Sequence, residues 1–451
     1  MGLIEYPLPL LVQSFLPFPL FPRPAIIPCV PQLEKKRFPG LVAAILATLL
    51  IAGLSGCAAC ASSPRPRLPP PPSAFKAEAG AVLAGLSLEE KCGQVLLIAV
   101  PGKERLSPAA AASLRAIGPG GILLFGYNVG EEAEGLAGFI GDCQDAAGAS
   151  GAGLPLIVAI DHEGGSVFRF KRGLTPMPPA AAVGSYVARK GPAYALALGQ
   201  VSGRELSALG VNLALAPVVE LATPANSAFL GSRSYGSDGR TVDAAAGAFI
   251  LGLESSGVGA VAKHFPGNTG ADPHKGLAVI GADRAELEKD YFPRFKSAAR
   301  RGASAVLLSH ALVPALDADN SATLSPTLVQ GELRKRLGFE GLVVTDDLFM
   351  KGLTERMPAG KAAVRALAAG ADLLMLADPG SGPSMVRTIA RAVASGELPE
   401  SRLDEAVLHV LELKLRHGMK AGLDPVLRAE RAASLPALVE EDAAILARFK
   451  D

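Results

Sequence analysis

Eight apolar runs of strand length, each separated from the next by enough chain for a helix, constrain this sequence more than any other feature in it. They lie at 95–100, 121–125, 156–161, 212–217, 260–265, 305–310, 342–346 and 372–376. The runs are continuously apolar, which is the pattern of strands buried on both faces and so of a parallel sheet with helices on its outside. Helix-like segments fall between them at 87–93, 131–147, 192–209, 242–255, 284–301, 325–337, 360–369 and 384–395. The expected fold is therefore α/β, a closed (β/α)₈ barrel as one catalytic domain over 74–451. An open doubly wound sheet is the alternative, but its dinucleotide-binding form needs a GxGxxG turn after the first strand, where Pro101, Gly102 and Lys103 stand instead. A stretch at 401–416, with Leu403, Ala406, Val407, Val410 and Leu411 at helical spacing, is expected to close the barrel.

What the runs end in is as informative as their number. The third ends in Asp161, His162 and Glu163, with Arg169 beyond; the fifth in Lys263 and His264; the sixth in Ser309 and His310; the seventh in Thr345, Asp346 and Asp347. Four of the six histidines, His162, His264, His274 and His310, sit at or just past such an end. In a (β/α)₈ barrel all these positions converge on one rim, the rim that carries the chemistry. The fifth run opens into a Gly/Pro-rich loop in which Asp272 is spaced to orient the imidazole of His274, the pattern of an acid/base arm. Asp346 can be a nucleophile, a metal ligand or a buried helix cap, while Asp347 is better placed for capping. A carboxylate nucleophile must stay ionised, and Lys263 or Arg233 nearby could hold it so. An ionised carboxylate beside a protonatable partner is the machinery of two-step displacement at a sugar carbon.

The chain of 451 residues is 49% hydrophobic with a formal charge of +1, so it can bury a large core and shows no charge bias towards nucleic acid. Cys92 and Cys143 fall in expected helices and read as small buried apolar residues; no disulfide, metal site or cofactor is expected. Ahead of the domain, Lys35, Lys36 and Arg37 precede an apolar run at 41–54 and then Leu54, Ser55, Gly56 and Cys57. These are the parts of an export signal, and the last four residues resemble a bacterial lipobox, which implies cleavage before Cys57 and lipid on its thiol. A single membrane-spanning helix is the other reading, though the run is short for one. Residues 1–56 are thus expected to be leader and signal, and 57–73, with Pro69 to Pro72 in an unbroken row, an extended tether. The resulting location is exported and lipid-anchored to a bacterial membrane.

Together the motifs resemble family 3 glycoside hydrolases of the β-N-acetylglucosaminidase branch, single-domain (β/α)₈ enzymes. The resemblance rests on Asp161 to Arg169, Ala216 to Val219, Gly231 to Gly236, Lys263 to Gly267, Asp272 with His274, Thr345 to Met350, Ala369 to Asp372 and Ser401 to Asp404, all in family order. It implies that Asp346 is the nucleophile of a covalent glycosyl-enzyme intermediate and that His274 with Asp272 is the acid/base dyad. Asp161, Arg169, Arg233, Lys263 and His264 would bind the sugar being released, a terminal β-linked N-acetylglucosamine, commonly from peptidoglycan fragments. The implied partner is an amino-sugar glycan, reached by a monomer. Two departures stand out: the loop from Asn268 to His274 is shorter than the family's and stiffened by Pro273, and Glu220 stands where the family tends to have Asp.

Two other classes compete. A metal-dependent amidohydrolase would also use a rim of His and Asp, but the first strand end, at Val100 to Gly102, lacks the H-x-H it needs. A lipid-anchored amino-sugar-binding protein without turnover is the non-enzymatic reading, suggested by the shortened loop.

Overall fold

The computed structural model describes residues 66–170, 172–419 and 425–449. The leader, the apolar run, Cys57 and the first part of the tether lie outside the described residues. The compact unit begins at Pro66. Leu68 packs its methyl groups against Gly302, where an added Cβ would lie 2.8 Å from Leu68 Cδ2.

Eight parallel strands follow in chain order: β1 (Leu96–Ala99), β2 (Gly121–Leu124), β3 (Ile157–Ile160), β4 (Leu213–Ala214), β5 (Gly259–Phe265), β6 (Ala305–Leu308), β7 (Leu342–Thr345) and β8 (Leu374–Leu376). Each pairs with its sequence neighbour, and β1 pairs with β8 as well, so the order runs continuously round a ring. Between β7 and β8 the ring is completed by one parallel bridge, Val344 with Leu373, and by the Thr345 N–H donating to Leu373 O at 3.0 Å. All eight expected strands are present. The helices match less evenly. The stretch 284–301 is interrupted by a π-helical turn at Leu287–Tyr291, and Thr327–Arg336 is π-helical. Helices Pro108–Ile117, Ala180–Lys190 and Pro425–Ala447 stand where none was expected. For the first of these the sequence does hold a signal: Ser107 caps the helix through the Ala110 N–H, and Pro108 occupies the first turn, where its missing N–H costs nothing.

Strand periodicity divides the core in two. Leu97, Leu123, Ile157, Ala159, Leu213, Val261, Ala305, Leu307, Leu342, Val344 and Met375 fill the inside of the ring. Their strand neighbours Ile98, Ile122, Leu124, Val158, Ala260, Val306, Val343 and Leu374 pack outward against the helices. The helix Glu400–Arg416 closes the N-terminal end as expected, with Val410 and Leu413 inserted among the interior residues. Charge fastens it there. Asp372, fully buried, accepts from the Val343 N–H and pairs with Arg402 at 2.8 Å, His409 at 3.0 Å and Arg334. Glu254 accepts from the Ala260 and Ser304 N–H groups and pairs with Arg416 at 3.2 Å. Cys92 and Cys143 are buried in helices, as expected, and burial pushes the Cys92 thiol up to about 12. Among the described residues, no helix is long and apolar enough to cross a membrane.

Candidate active site

With the N-terminal end plugged, the C-terminal mouth is where polar groups can meet a ligand. On β3 the interior positions are Ile157 and Ala159, so the next inward residue is Asp161. The same count gives Lys263 after Val261 on β5, and Asp346 after Leu342 and Val344 on β7. The ladder supports the last of these: the Asp346 N–H donates to Leu308 O at 3.1 Å, continuing the β6–β7 pairing past its final registered pair.

Asp161 and Lys263 meet directly. The Lys263 ammonium lies 2.7 Å from Asp161 Oδ1 and 2.7 Å from Glu163 Oε1. Asp161 is held from its other side by Arg169 Nη2 at 2.9 Å, and Glu163 takes a two-pronged contact from Arg233, at 2.8 and 2.9 Å. Burial pushes the Asp161 carboxyl up, but the Lys263 ammonium and the Arg169 guanidinium outweigh it and hold it well below the usual carboxylate range. Glu163 follows the same logic: burial raises it, Lys263 and Arg233 more than reverse that. Burial likewise favours losing the Lys263 proton, and Asp161 with Glu163 overrides it, so the ammonium stays charged. Three cations, Arg169, Arg233 and Lys263, face two carboxylates within this cluster.

Four sequence-predicted residues, Asp161, Arg169, Arg233 and Lys263, are therefore brought together in one cluster. Glu163, which sequence reasoning gave no role, is its second anion. The signal for it was in the chain: it lies in a short hairpin, His162–Gly164 with Val167–Phe168, that folds directly off β3 and carries its side chain back towards Lys263.

His264 is buried beside this cluster and governed by Glu220. Glu220 Oε1 accepts from the His264 N–H at 3.1 Å and from the Asn268 amide at 3.1 Å, and lies 2.8 Å from His264 Nδ1. Glu220 Oε2 accepts from the Asn268 N–H at 2.6 Å. An oxygen already taking two N–H donors is an acceptor for the third, which makes Nδ1 the protonated nitrogen and leaves Nε2 without a protein partner among the described residues. Glu220→Gln replaces one accepting oxygen with a donor and is expected to cost about 1–3 kcal/mol. Urea unfolding checks this, and an unchanged midpoint would count against Glu220 as the clasp of this loop.

The loop then carries Asp272 and His274 outward. Asp272 Oδ1 accepts from the His274 N–H at 3.0 Å and lies 2.9 Å from His274 Nδ1; the imidazole is 69% exposed, as an arm that meets a ligand from solvent must be. The His274 backbone N–H, and after it the ring, hold the Asp272 carboxyl below its usual range. Pro273 does more than stiffen the loop. Its carbonyl accepts from the Gly352 N–H at 3.1 Å, which fastens the loop to the segment leaving β7 just beyond Asp346. Only glycine fits there: a Cβ on Gly352 would lie 2.8 Å from Gly276 O and 3.1 Å from Pro273 O.

Asp346 itself is half-buried. Its only side-chain hydrogen bond among the described residues is from the Asp347 N–H to Oδ1 at 2.9 Å. Lys263 and Arg233, the cations expected near it, make their ion pairs with Asp161 and Glu163. Asp347 caps no regular helix; its Oδ1 accepts from the Phe349 and Ala377 N–H groups and ties the β7 exit to the end of β8. Two of the strand-end histidines leave the chemistry. His310 bridges Thr323 Oγ1 at 2.8 Å and Asp347 O at 2.9 Å, and His162 is buried between Phe168 and Phe170, with burial bringing its pKa down to about 4. With His264, His274 and His310 each tied to a different partner, no group of three metal-binding side chains forms among the described residues.

Known proteins resemble this chain over most of its length. The glycosyl hydrolase family 3 N terminal domain matches residues 87–413. The β-hexosaminidase of Methylococcus capsulatus is 35% identical over 245 residues, 53% of this chain and 72% of that protein. The β-hexosaminidase LpqI of Mycobacterium tuberculosis is 32% identical over 346 residues, 75% of this chain and 85% of that protein. A family 3 β-N-acetylglucosaminidase from a Paenibacillus species superposes with a TM-score of 0.70 at 31% identity, covering 79% of this chain and 69% of that one. Barrel, motif order and relatives agree: the chain belongs to glycosyl hydrolase family 3, among its β-N-acetylhexosaminidases, and is a glycoside hydrolase.

Proposed function

We propose that this protein removes terminal, non-reducing β-linked N-acetylglucosamine with retention of configuration, through a covalent intermediate on Asp346. The observation that carries the reading is the joining of the two reactive arms: the loop bearing Asp272 and His274 is bonded through Pro273 to Gly352, on the segment that leaves Asp346. In the first step the Asp346 carboxylate attacks the anomeric carbon while His274, protonated and oriented by Asp272, gives its proton to the departing oxygen. In the second step the neutral imidazole takes a proton from the incoming water, which attacks the same carbon and frees Asp346. Asp161, Arg169, Arg233 and Lys263 are built to hold hydroxyl groups, since each is already fixed by charge and loses little freedom on binding. His264, with Nε2 free, serves the hydroxyls or the acetamido group.

The natural substrate of this reading is a peptidoglycan fragment, met outside the cytoplasm by a chain anchored through lipid on Cys57. Near the start of the described residues, Leu68 and Pro69 run beside Gly302 and Gly341, which lead into β6 and β7 at the end of the barrel opposite the mouth.

The deciding experiment is hydrolysis of peptidoglycan fragments by the full chain, with the anomer released followed by NMR from the first seconds. Release of the β-anomer supports retention; an initial α-anomer would sink the covalent intermediate. The role of His274 has its own test. An aryl glycoside leaves readily without a proton, so His274→Ala should reduce turnover of alkyl or sugar glycosides about 10²–10⁴-fold and that of activated aryl glycosides far less. Equal losses on both classes would remove His274 from the acid role.

A further inference from the structure

On the hexosaminidase reading, the mouth must hold a second group besides the sugar that is released. We infer that Tyr127, stacked on Phe125, is the platform on which the sugar ring of the leaving group rests. Leu124 on β2 is in register with Ile160 on β3, so Phe125 stands abreast of Asp161 in the ring of residues at the mouth. Its side chain packs on the apolar interior of the barrel, as the next inward position after Leu123 must. The Tyr127 ring lies parallel to the Phe125 ring, 5.5 Å between centroids and 15° between planes, yet Tyr127 is 52% exposed.

A lone exposed aromatic is ordinary, but this one is held in place by a buried clamp. Asn128 is fully buried; its amide donates to Val100 O at 2.9 Å and Gly102 O at 2.7 Å, and its Oδ1 accepts from the Phe125 N–H at 2.9 Å. The Asn128 N–H closes the turn on Phe125 O at 3.0 Å. Three hydrogen bonds from one buried side chain are thus spent fixing a turn whose exposed product is the Tyr127 ring. A pyranose presents flat faces of C–H groups, and burying one against a rigid aromatic gains apolar contact with little ordering cost. The cluster of Asp161, Lys263 and Glu163 is suited to hydroxyl groups, whereas the Phe125–Tyr127 stack offers no charge. It therefore suits the ring beyond the cleaved bond, which the enzyme must bind but not transform.

The test compares the wild-type full chain with Tyr127→Ala and Tyr127→Trp on two substrates: N,N′-diacetylchitobiose, whose leaving group is a sugar, and N-acetyl-β-glucosaminyl fluoride, whose leaving group has no ring. Tyr127→Ala should lower kcat/KM on the disaccharide about tenfold, chiefly through KM, and leave the fluoride within about twofold. Tyr127→Trp should restore the disaccharide. Unchanged disaccharide kinetics, or an equal loss on both substrates, overturns the platform while leaving the hydrolase reading intact. Failure of the wild type on both substrates overturns that reading, and the platform with it.

Discussion

Replacing Asp346 with Asn is expected to lower kcat/KM on an aryl β-N-acetylglucosaminide by about 10⁴-fold or more while leaving the fold intact. The loss is large because an amide cannot form the acyl bond to the anomeric carbon, and an activated leaving group does nothing to replace a missing nucleophile. The fold survives because the structural duty of Asp346 is slight. Its Oδ1 accepts a single hydrogen bond from the Asp347 N–H, and the Asn carbonyl accepts the same bond. Steady-state kinetics alongside a thermal melt separate the two effects. Residual activity within tenfold of wild type, in a folded variant, would move the nucleophile elsewhere on the rim.

Lys263→Met is expected to be the most damaging change for stability at the mouth, about 3–5 kcal/mol. The ammonium is almost wholly buried and bridges two carboxylates at 2.7 Å each. Without it, Asp161 and Glu163 keep only Arg169 and Arg233 on their far sides and face each other across a space no charge fills. Met reaches about as far as the Lys Cε, so it keeps most of the apolar stem while removing the charge. Urea unfolding should show the midpoint falling with little change in slope. Activity should fall as well, since Asp161 then lacks the cation that sets its position. A variant as stable as wild type would mean that the two carboxylates are relieved by solvent and that the cluster is less closed than its distances indicate.

Most of the frame of this protein is legible in its residues one after another. Strand-length apolar runs such as those at 121–125 and 342–346 need only local periodicity to be seen, and all eight became strands of the ring. Helix Ala180–Lys190 has no side-chain cap to announce its start, and Ala180, Val183, Gly184 and Val187, which line its buried face at helical spacing, are too small to stand out in an alanine-rich stretch. Candidate residues at strand ends were legible for the same reason as the strands, because the position one step past a buried run is polar only at some cost. What could not be told was which polar strand end does what. His310 and His264 look alike in sequence, yet one spans two loops through both ring nitrogens and the other keeps Nε2 free.

The sequence by itself determined a ring of parallel strands, the rim on which polar side chains collect, and membership of a hydrolase family, because periodicity and motif order are properties of neighbours along the chain. Only the tertiary structure decided how the charges pair: that Lys263 serves Asp161 and Glu163 rather than Asp346, that Glu220 clasps the loop through His264 and Asn268, and that Pro273 is bonded to Gly352. Most of these join residues that follow different barrel strands, at distances of a few ångströms that no spacing in the chain records. The physical reason is that a buried charge is satisfied by whichever opposite charge the closed barrel brings within reach, and closure is a property of all eight strands at once.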